Sequence, residues 1–234
     1  MGKQGVIVVA GGTGSRMGTT ESKQYLMLGD KPILIHTLLT FQQVEEIDSI
    51  VLVVGQGDED RCHAYMDRYG LAKVVRIVTG GTERQHSVHR GLRHLPDEIE
   101  WVLVHDAVRP FVSRQDILRC LAKAKQTGAA VLAVPVKDTI KKIGAEGAIE
   151  STPDRRSLWA IQTPQAFRLS ALAQAYEKAE ADGFVGTDDA MLVERMGQTV
   201  YVVEGSYANI KITTPEDLGW AEWYVQSGRG EIEL

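Results

Sequence analysis

Five short runs of β-branched and aliphatic residues recur along the first part of the chain, at Val6–Val9, Ile50–Val54, Val74–Val78, Val102–His105 and Ala130–Val134. Each run is nearly continuous in apolar character. A strand with one wet face alternates, whereas a strand covered on both faces does not. Between the runs lie helical patterns at Ile33–Gln42, Glu59–Tyr69, Arg84–His94 and Gln115–Gln126, the last followed by Gly128 as a stop signal. Strand and helix therefore take turns. This rhythm predicts an α/β fold, a doubly wound and mostly parallel sheet with helices on both faces.

The rhythm breaks after Pro135. The stretch 137–156 is polar and carries Gly144 and Gly147 between two short alternating segments, Thr139–Ile143 and Ala148–Ser151. It reads as a protruding β-hairpin arm. Apolar content returns at Leu158–Ile161. Helices are expected near Leu169–Ala181 and Asp188–Met196, with a strand at Thr199–Glu204 and a short one at Ile210–Ile212. A final helix opens at Thr214-Pro215-Glu216-Asp217, where Thr caps, Pro suits the first turn and the acids face the positive dipole end. With no internal repeat and no low-complexity linker, residues 1–234 are expected to form a single domain. A second fused catalytic unit is not expected in this length.

Composition narrows the classes. Apolar residues make up 44% of the 234 and charged residues 24%, which excludes wholesale disorder. The net charge of −5 argues against a sequence-independent nucleic-acid binder, because such proteins are basic. No apolar run reaches the ~18–20 residues of a membrane span, and the start lacks the apolar core of a signal peptide. Cys62 and Cys120 form neither a CxxC pair nor a zinc spacing, and buried free thiols point to a reducing compartment. A soluble cytoplasmic protein is the expectation.

The first strand runs into Ala10-Gly11-Gly12-Thr13-Gly14-Ser15-Arg16-Met17-Gly18. A glycine-rich loop there lies at the carboxyl edge of the sheet, where ligands bind, and its N–H groups form an anion nest. No register supplies the G-x-x-x-x-G-K-[ST] loop. The dinucleotide fingerprint fails as well, because Met17 stands in its sixth place and Gly55-Gln56-Gly57, rather than an acid, follows the second strand. Two cations, Arg16 and Lys23, accompany the glycines. That pairing suits a triphosphate whose charge grows during attack.

The opening motif, then Lys23-Gln24-Tyr25 and Lys31-Pro32-Ile33, is similar to the start of sugar-phosphate nucleotidyltransferases. Four further segments narrow the likeness. They are Gly80-Gly81-Thr82-Glu83-Arg84-Gln85-His86-Ser87-Val88, His105-Asp106-Ala107-Val108-Arg109-Pro110, Asp154-Arg155-Arg156-Ser157-Leu158-Trp159 with Gln162-Thr163-Pro164-Gln165, and Asn209-Ile210-Lys211-Ile212-Thr213. In this order they resemble the 2-C-methyl-D-erythritol 4-phosphate cytidylyltransferases of the non-mevalonate isoprenoid pathway, over roughly residues 5 to 226. A ribitol 5-phosphate cytidylyltransferase is the alternative with the same fold and CTP chemistry. The segments 136–141 and 154–159 favour the former.

The resemblance implies a Rossmann-like nucleotidyltransferase fold and a reaction of CTP with a polyol phosphate that releases pyrophosphate. It implies Arg16 and Lys23 as the pair that steadies the α-phosphate, each expected to be worth about 2–4 kcal/mol of barrier. It implies Gly11, Gly12, Thr13, Gly14, Gly81, Thr82, Ser87, Asp106 and Ala107 around CTP, with cytosine read largely by the backbone. Arg109, Thr139, Arg155, Thr163 and Lys211 correspond to the second substrate's phosphate site. Asp106 is the implied ligand of Mg²⁺ or another divalent cation. Some relatives carry a second acid directly before the Asn-Ile-Lys segment, where this chain has Ala208. The attacking phosphomonoester is already mostly dianionic at neutral pH, so no general base is needed. His63, His86, His89 and His94 then read as surface or packing residues. The arm at 137–156 is implied to cross to a second subunit in a homodimer with shared sites.

Overall fold

The computed structural model describes residues 2–12 and 21–229. Seven strands form the main sheet: β1 (Lys3–Ala10), β4 (Ser49–Val54), β5 (Val74–Thr79), β6 (Ile99–Asp106), β7 (Ala129–Pro135), β10 (Trp159–Arg168) and β11 (Tyr201–Glu204). Their spatial order is β11-β7-β10-β6-β1-β4-β5. Only β10 runs against its neighbours, pairing antiparallel with β6 and β7, while β11 runs parallel to β7. The other pairs, β1 with β4, β1 with β6 and β4 with β5, are parallel. The chain leaves β1 for β4 on one side and returns to β6 on the other. That reversal opens a crevice at the carboxyl ends of β1 and β6, the place where open α/β sheets bind ligands.

The apolar runs of β1, β4, β6 and β7 form strands because both faces are covered, whereas β5, expected to be buried as well, is the edge of the sheet and is only half-buried, with Val75 exposed. Val6 and Val8 of β1 and Ile50, Leu52 and Val54 of β4 join one core, and Ile7, Val51 and Val53 join the opposite one. Helix α1 (Ile33–Gln43) and α4 (Arg114–Thr127) pack on the first face. Helix α3 (Arg84–Leu92) and α5 (Leu169–Ala181) pack on the second. One short antiparallel pairing, β2 (Met27–Leu28) with β3 (Lys31–Pro32), leads into α1. Helix α2 (Glu59–Tyr69) precedes β5, and α6 (Asp189–Arg195) follows α5. Gly128 ends α4 at a φ of 95°, and its N–H donates to Ala124 O at 2.7 Å. Only glycine adopts that φ without strain, which is why the predicted stop holds.

The final helix, α7 (Pro215–Gln226), begins with a capping box: Thr214 accepts from Asp217 N, and the Asp217 carboxylate accepts from Thr214 N. Its face packs with Leu28, Ile33, Val108 and Ile212 in a third, smaller core. The predicted strand at Ile210–Ile212 is not one. Ile212 is fully buried but makes a single backbone bond, from its N to Val108 O at 2.9 Å. Its apolar character serves the α7 core, not a ladder. The predicted hairpin is present as β8 (Lys142–Ile143) against β9 (Ile149–Ser151), a small separate sheet with exposed side chains. No helix among the described residues is long and apolar enough to cross a membrane.

Candidate active site

A cavity of about 270 Å³ opens at the crevice, lined by residues from β1, the turn after β5, the tip of β6 and the segment before α7. Its floor is the end of β1, where Ala10 passes into Gly11 and Gly12. Gln24 Nε2 donates to Ala10 O at 2.6 Å. That bond ties the helical turn Lys23–Tyr25 back to β1 and brings Lys23 to the lining. Thr13, Gly14 and Arg16 lie outside the described residues.

The turn after β5 forms one wall. Gly81 N donates to Ser87 Oγ at 3.1 Å, and Ser87 Oγ donates to Glu83 O at 3.2 Å. A Cβ on Gly80 would stand 2.7 Å from Ser87 Oγ and 3.2 Å from Val54 O, so the close approach there needs glycine. Arg90 Nη1 adds bonds to Thr79 O and Gly80 O at 3.2 and 2.7 Å. Gly81, Thr82 and Ser87 thus line the cavity on a turn whose shape is fixed by its own hydrogen bonds. The amino end of α3 begins here, and its dipole favours negative charge.

Asp106 ends β6 and carries the densest electrostatics of the site. Its Oδ1 lies 3.1 Å from Arg84 Nε, and its Oδ2 lies 3.0 Å from Lys211 Nζ and 3.5 Å from Arg109 Nε. Burial alone would raise its pKa, but the three cations outweigh it and hold the carboxyl well below the usual range. Arg109 also donates from Nη1 to Asn209 O at 2.8 Å, which ties β6 to the segment carrying Lys211.

Thr163 is placed by an irregularity. Between Ile161 and Gln165 the pairing of β10 with β7 slips, so that β10 holds extra residues against its partner. Such a bulge re-aims side chains. Thr163 Oγ1 accepts from Asp106 N at 3.1 Å and lies 3.1 Å from His105 Nδ1. His105 Nε2 faces Arg109 O at 3.2 Å, and a carbonyl only accepts, so Nε2 carries the proton and Nδ1 accepts from the Thr163 hydroxyl. Burial pushes this imidazole down to about 3, so it is neutral.

The remaining expected residues are distributed differently. Ala107 is fully buried, its N–H on Val9 O at 3.0 Å and its carbonyl taken by Thr37 Oγ1 at 2.8 Å. Thr139 and Arg155 are exposed on the arm and do not line the cavity, and Arg155 Nη1 donates to Lys137 O at 2.6 Å. Within one chain the cavity therefore gathers Gly11, Gly12, Lys23, Gly81, Thr82, Ser87, Asp106 and Lys211. Arg109 and Thr163 stand directly behind, bonded to Asp106.

Three site residues escaped the sequence reading. Arg84 and Gln24 sat inside quoted motifs without a role. Asp189 was read only as part of the helix at Asp188–Met196, yet it is fully buried and grips Arg84 from α6. Among the described residues no three His, Cys, Asp or Glu side chains gather as a metal cage. Asp106 is a single ionised carboxylate, and Mg²⁺ is satisfied by one carboxylate when phosphate oxygens and water complete its shell, so the residues fit such an ion.

Residues 5–227 match the family model described as IspD, 2-C-methyl-D-erythritol 4-phosphate cytidylyltransferase. A 2-C-methyl-D-erythritol 4-phosphate cytidylyltransferase from Alkaliphilus metalliredigens is 52% identical over 214 residues, covering 91% of this chain and 89% of the relative. One from Geobacillus kaustophilus is 49% identical, covering 96% of this chain and 98% of the relative. The crystal structure of 4-diphosphocytidyl-2C-methyl-D-erythritol synthase from Anaerococcus prevotii superposes with a TM-score of 0.85 at 37% identity, covering 96% of each chain. That of the Thermus thermophilus cytidylyltransferase gives 0.78 at 33% identity, covering 94% of this chain and 98% of the other.

Proposed function

The chain belongs to the 2-C-methyl-D-erythritol 4-phosphate cytidylyltransferase family, a family of nucleotidyltransferases, and from that membership we infer how its residues serve the reaction. The chain joins CTP to 2-C-methyl-D-erythritol 4-phosphate. An oxygen of the substrate phosphate attacks the α-phosphorus of CTP in line. The new P–O bond forms as the bond to the β-phosphate bridging oxygen breaks, and pyrophosphate leaves. The products are 4-diphosphocytidyl-2-C-methyl-D-erythritol and pyrophosphate.

The attacking phosphate is dianionic at neutral pH, so no side chain takes a proton. The difficulty is one anion approaching another, and fixed cations reduce it. Arg16 and Lys23 steady the charge on the α-phosphate, and Gly11, Gly12, Thr13 and Gly14 serve the binding of CTP. The turn at Gly81 and Thr82, pinned by Ser87, reads the cytosine edge with backbone groups. Lys211 holds the second substrate's phosphate from the cleft lining, with Arg109 and Thr163 directly behind it. Asp106 would hold a divalent cation such as Mg²⁺, which would supply further neutralisation of the triphosphate when bound. The observation that carries this reading is the meeting of Lys211 and Arg109 on Asp106 at the wall of a cleft floored by Gly11 and Gly12.

The arm carries exposed Ile140, Ile143 and Ile149, and an isolated two-stranded ribbon is marginal in water. We take it to pair with a second copy of the chain and to bring Thr139 and Arg155 to the neighbour's cleft. The two cysteines are buried free thiols, which fits the reducing cytoplasm.

The test is pyrophosphate release with CTP and Mg²⁺, using methylerythritol phosphate and ribitol phosphate in parallel. Turnover on the first alone is expected. Turnover on ribitol phosphate would overturn the choice of polyol.

A further inference from the structure

Arg84 holds two carboxylates at once. Its Nε donates to Asp106 Oδ1 at 3.1 Å, while Nη1 and Nη2 donate to Asp189 Oδ1 and Oδ2 at 3.1 and 2.8 Å. The second of these is a parallel, two-bond fork, the geometry that fixes a guanidinium plane. Asp189 has no exposed surface, and Tyr176 OH donates to its Oδ1 from α5. The start of α6 is fixed in turn by β10: Gln165 accepts from Ala190 N at 3.0 Å and donates to Asp188 Oδ2 at 2.9 Å. Arg84 is thus anchored through buried groups on two helices and a strand.

Lys211 differs. Its ammonium meets Asp106 Oδ2 from a flexible stem whose side chain is 37% exposed, so it is free to exchange that oxygen for a phosphate. Asp106 therefore has a fixed edge, Oδ1, and an exchangeable edge, Oδ2. Arg84 also begins α3 directly after the Gly80–Glu83 turn. The same residue joins the base-reading wall to the carboxylate at the tip of β6.

We propose that Arg84 is a positioning residue for the transfer reaction: gripped by Asp189, it fixes Oδ1 of Asp106 and so turns Oδ2 toward the cleft, Lys211 and Arg109. The proposal rests on the reading that Asp106 serves the substrates. Misplacing a reacting group by about an ångström can lower a rate roughly a hundredfold without removing any binding contact. The predicted signature is a loss in kcat with little change in KM.

The experiment is a double-mutant cycle on the full chain, with initial rates at varied CTP and varied polyol phosphate. Asp189→Asn leaves every cleft side chain in place but loosens the fork. It is expected to lower kcat roughly tenfold or more, with the KM for CTP within about threefold. If Asp189 acts through Asp106, the same change made on top of Asp106→Asn costs little more. Arg84→Lys keeps the charge but cannot span both carboxylates. It is expected to show the same loss and the same absorption, and it carries the test should Asp189→Asn not fold. Losses that multiply across the cycle would overturn the proposal alone. So would a raised KM for CTP at unchanged kcat, which marks direct contact, or full kcat in Arg84→Lys. Full activity in Asp106→Asn would overturn the reading of Asp106 and the proposal with it.

Discussion

Lys211 Nζ stands 3.0 Å from Asp106 Oδ2, an ion pair that links the segment before α7 to the tip of β6. Asp106 keeps Arg84 and Arg109 when Lys211 is removed, so its charge stays compensated. Lys211→Gln is therefore expected to fold normally and to fail at the phosphate. A hydrogen bond to a charged group is worth about 1.5–3 kcal/mol, roughly a 10- to 150-fold rise in the KM for the polyol phosphate. The KM for CTP is expected to hold within about threefold in steady-state pyrophosphate release.

His105 makes stability depend on pH. Burial pushes its imidazole down to about 3 in the folded chain, against about 6.5 when unfolded. Between these values the unfolded chain binds a proton that the folded chain refuses, so stability falls as pH falls, by about 1.4 kcal/mol per unit. Asp106 acts lower down: its depressed pKa contributes stability that is lost only as pH falls below about 4. In urea unfolding from pH 6.5 to 5 the histidines dominate the slope, and comparison with a His105 variant separates His105 from the rest. His105→Gln, which keeps a donor for Arg109 O, is expected to flatten the slope by about one proton. An unchanged slope would refute the assignment.

Gly91 lies where α3 meets the sheet. A Cβ there would stand 2.7 Å from Ile7 Cγ2 and 3.0 Å from Val53 Cγ2, both fully buried. Overpacking of this kind costs about 1–3 kcal/mol, against about 1 kcal/mol gained from helix propensity. Gly91→Ala is expected to destabilise by up to about 2 kcal/mol, read as a lower urea midpoint at unchanged m-value. Ser87 sits one turn earlier on the same helix, so a raised KM for CTP is expected as well.

Shared sites predict complementation. Asp106→Asn breaks the cleft, and Arg155→Ala alters the arm. Each alone is expected to be nearly inactive. If each arm completes the neighbour's cleft, a mixed dimer holds one doubly altered site and one intact site. Random mixing makes about half of all dimers mixed, so activity is expected to return to roughly a quarter of the unaltered level. No recovery after subunit exchange, or a fully active monomer in sedimentation, would refute the shared site.

The centre of the sheet was legible because its strands are buried on both faces, which leaves unbroken apolar runs such as Ile50–Val54. Helix α2 was legible end to end, Glu59–Tyr69, because its amphipathic spacing is undisturbed. Strand β10 was not read as a strand; only a return of apolar content at Leu158–Ile161 marked its start. Its continuation through Gln162, Thr163 and Pro164 carries polar side chains that answer to Asp106 and Asn209, not to a core. Ile210–Ile212 misled for the converse reason: an apolar extended stretch packs a helix without joining a ladder. In the site, the glycine turns and Asp106 were marked by local spacing. The fork between Arg84 and Asp189 was not, since an acid at a helix start reads as a cap, and its true partner is 105 positions away.

The arm departs from β7 and returns at β10, two adjacent antiparallel strands that close on each other at Pro135 and Trp159. Val136 N bonds Leu158 O at 3.0 Å, and Tyr207 OH bonds Pro135 O at 2.7 Å, so the neck is sealed from both sides. Whatever lies beyond a sealed neck is mechanically decoupled from sheet register. Each doubling of such a loop adds only about 0.6 kcal/mol of closure entropy. The β8–β9 ribbon can thus lengthen or shorten without disturbing the cleft at the tips of β1 and β6, whereas Thr139 and Arg155, which serve the neighbour's cleft, are not free to change.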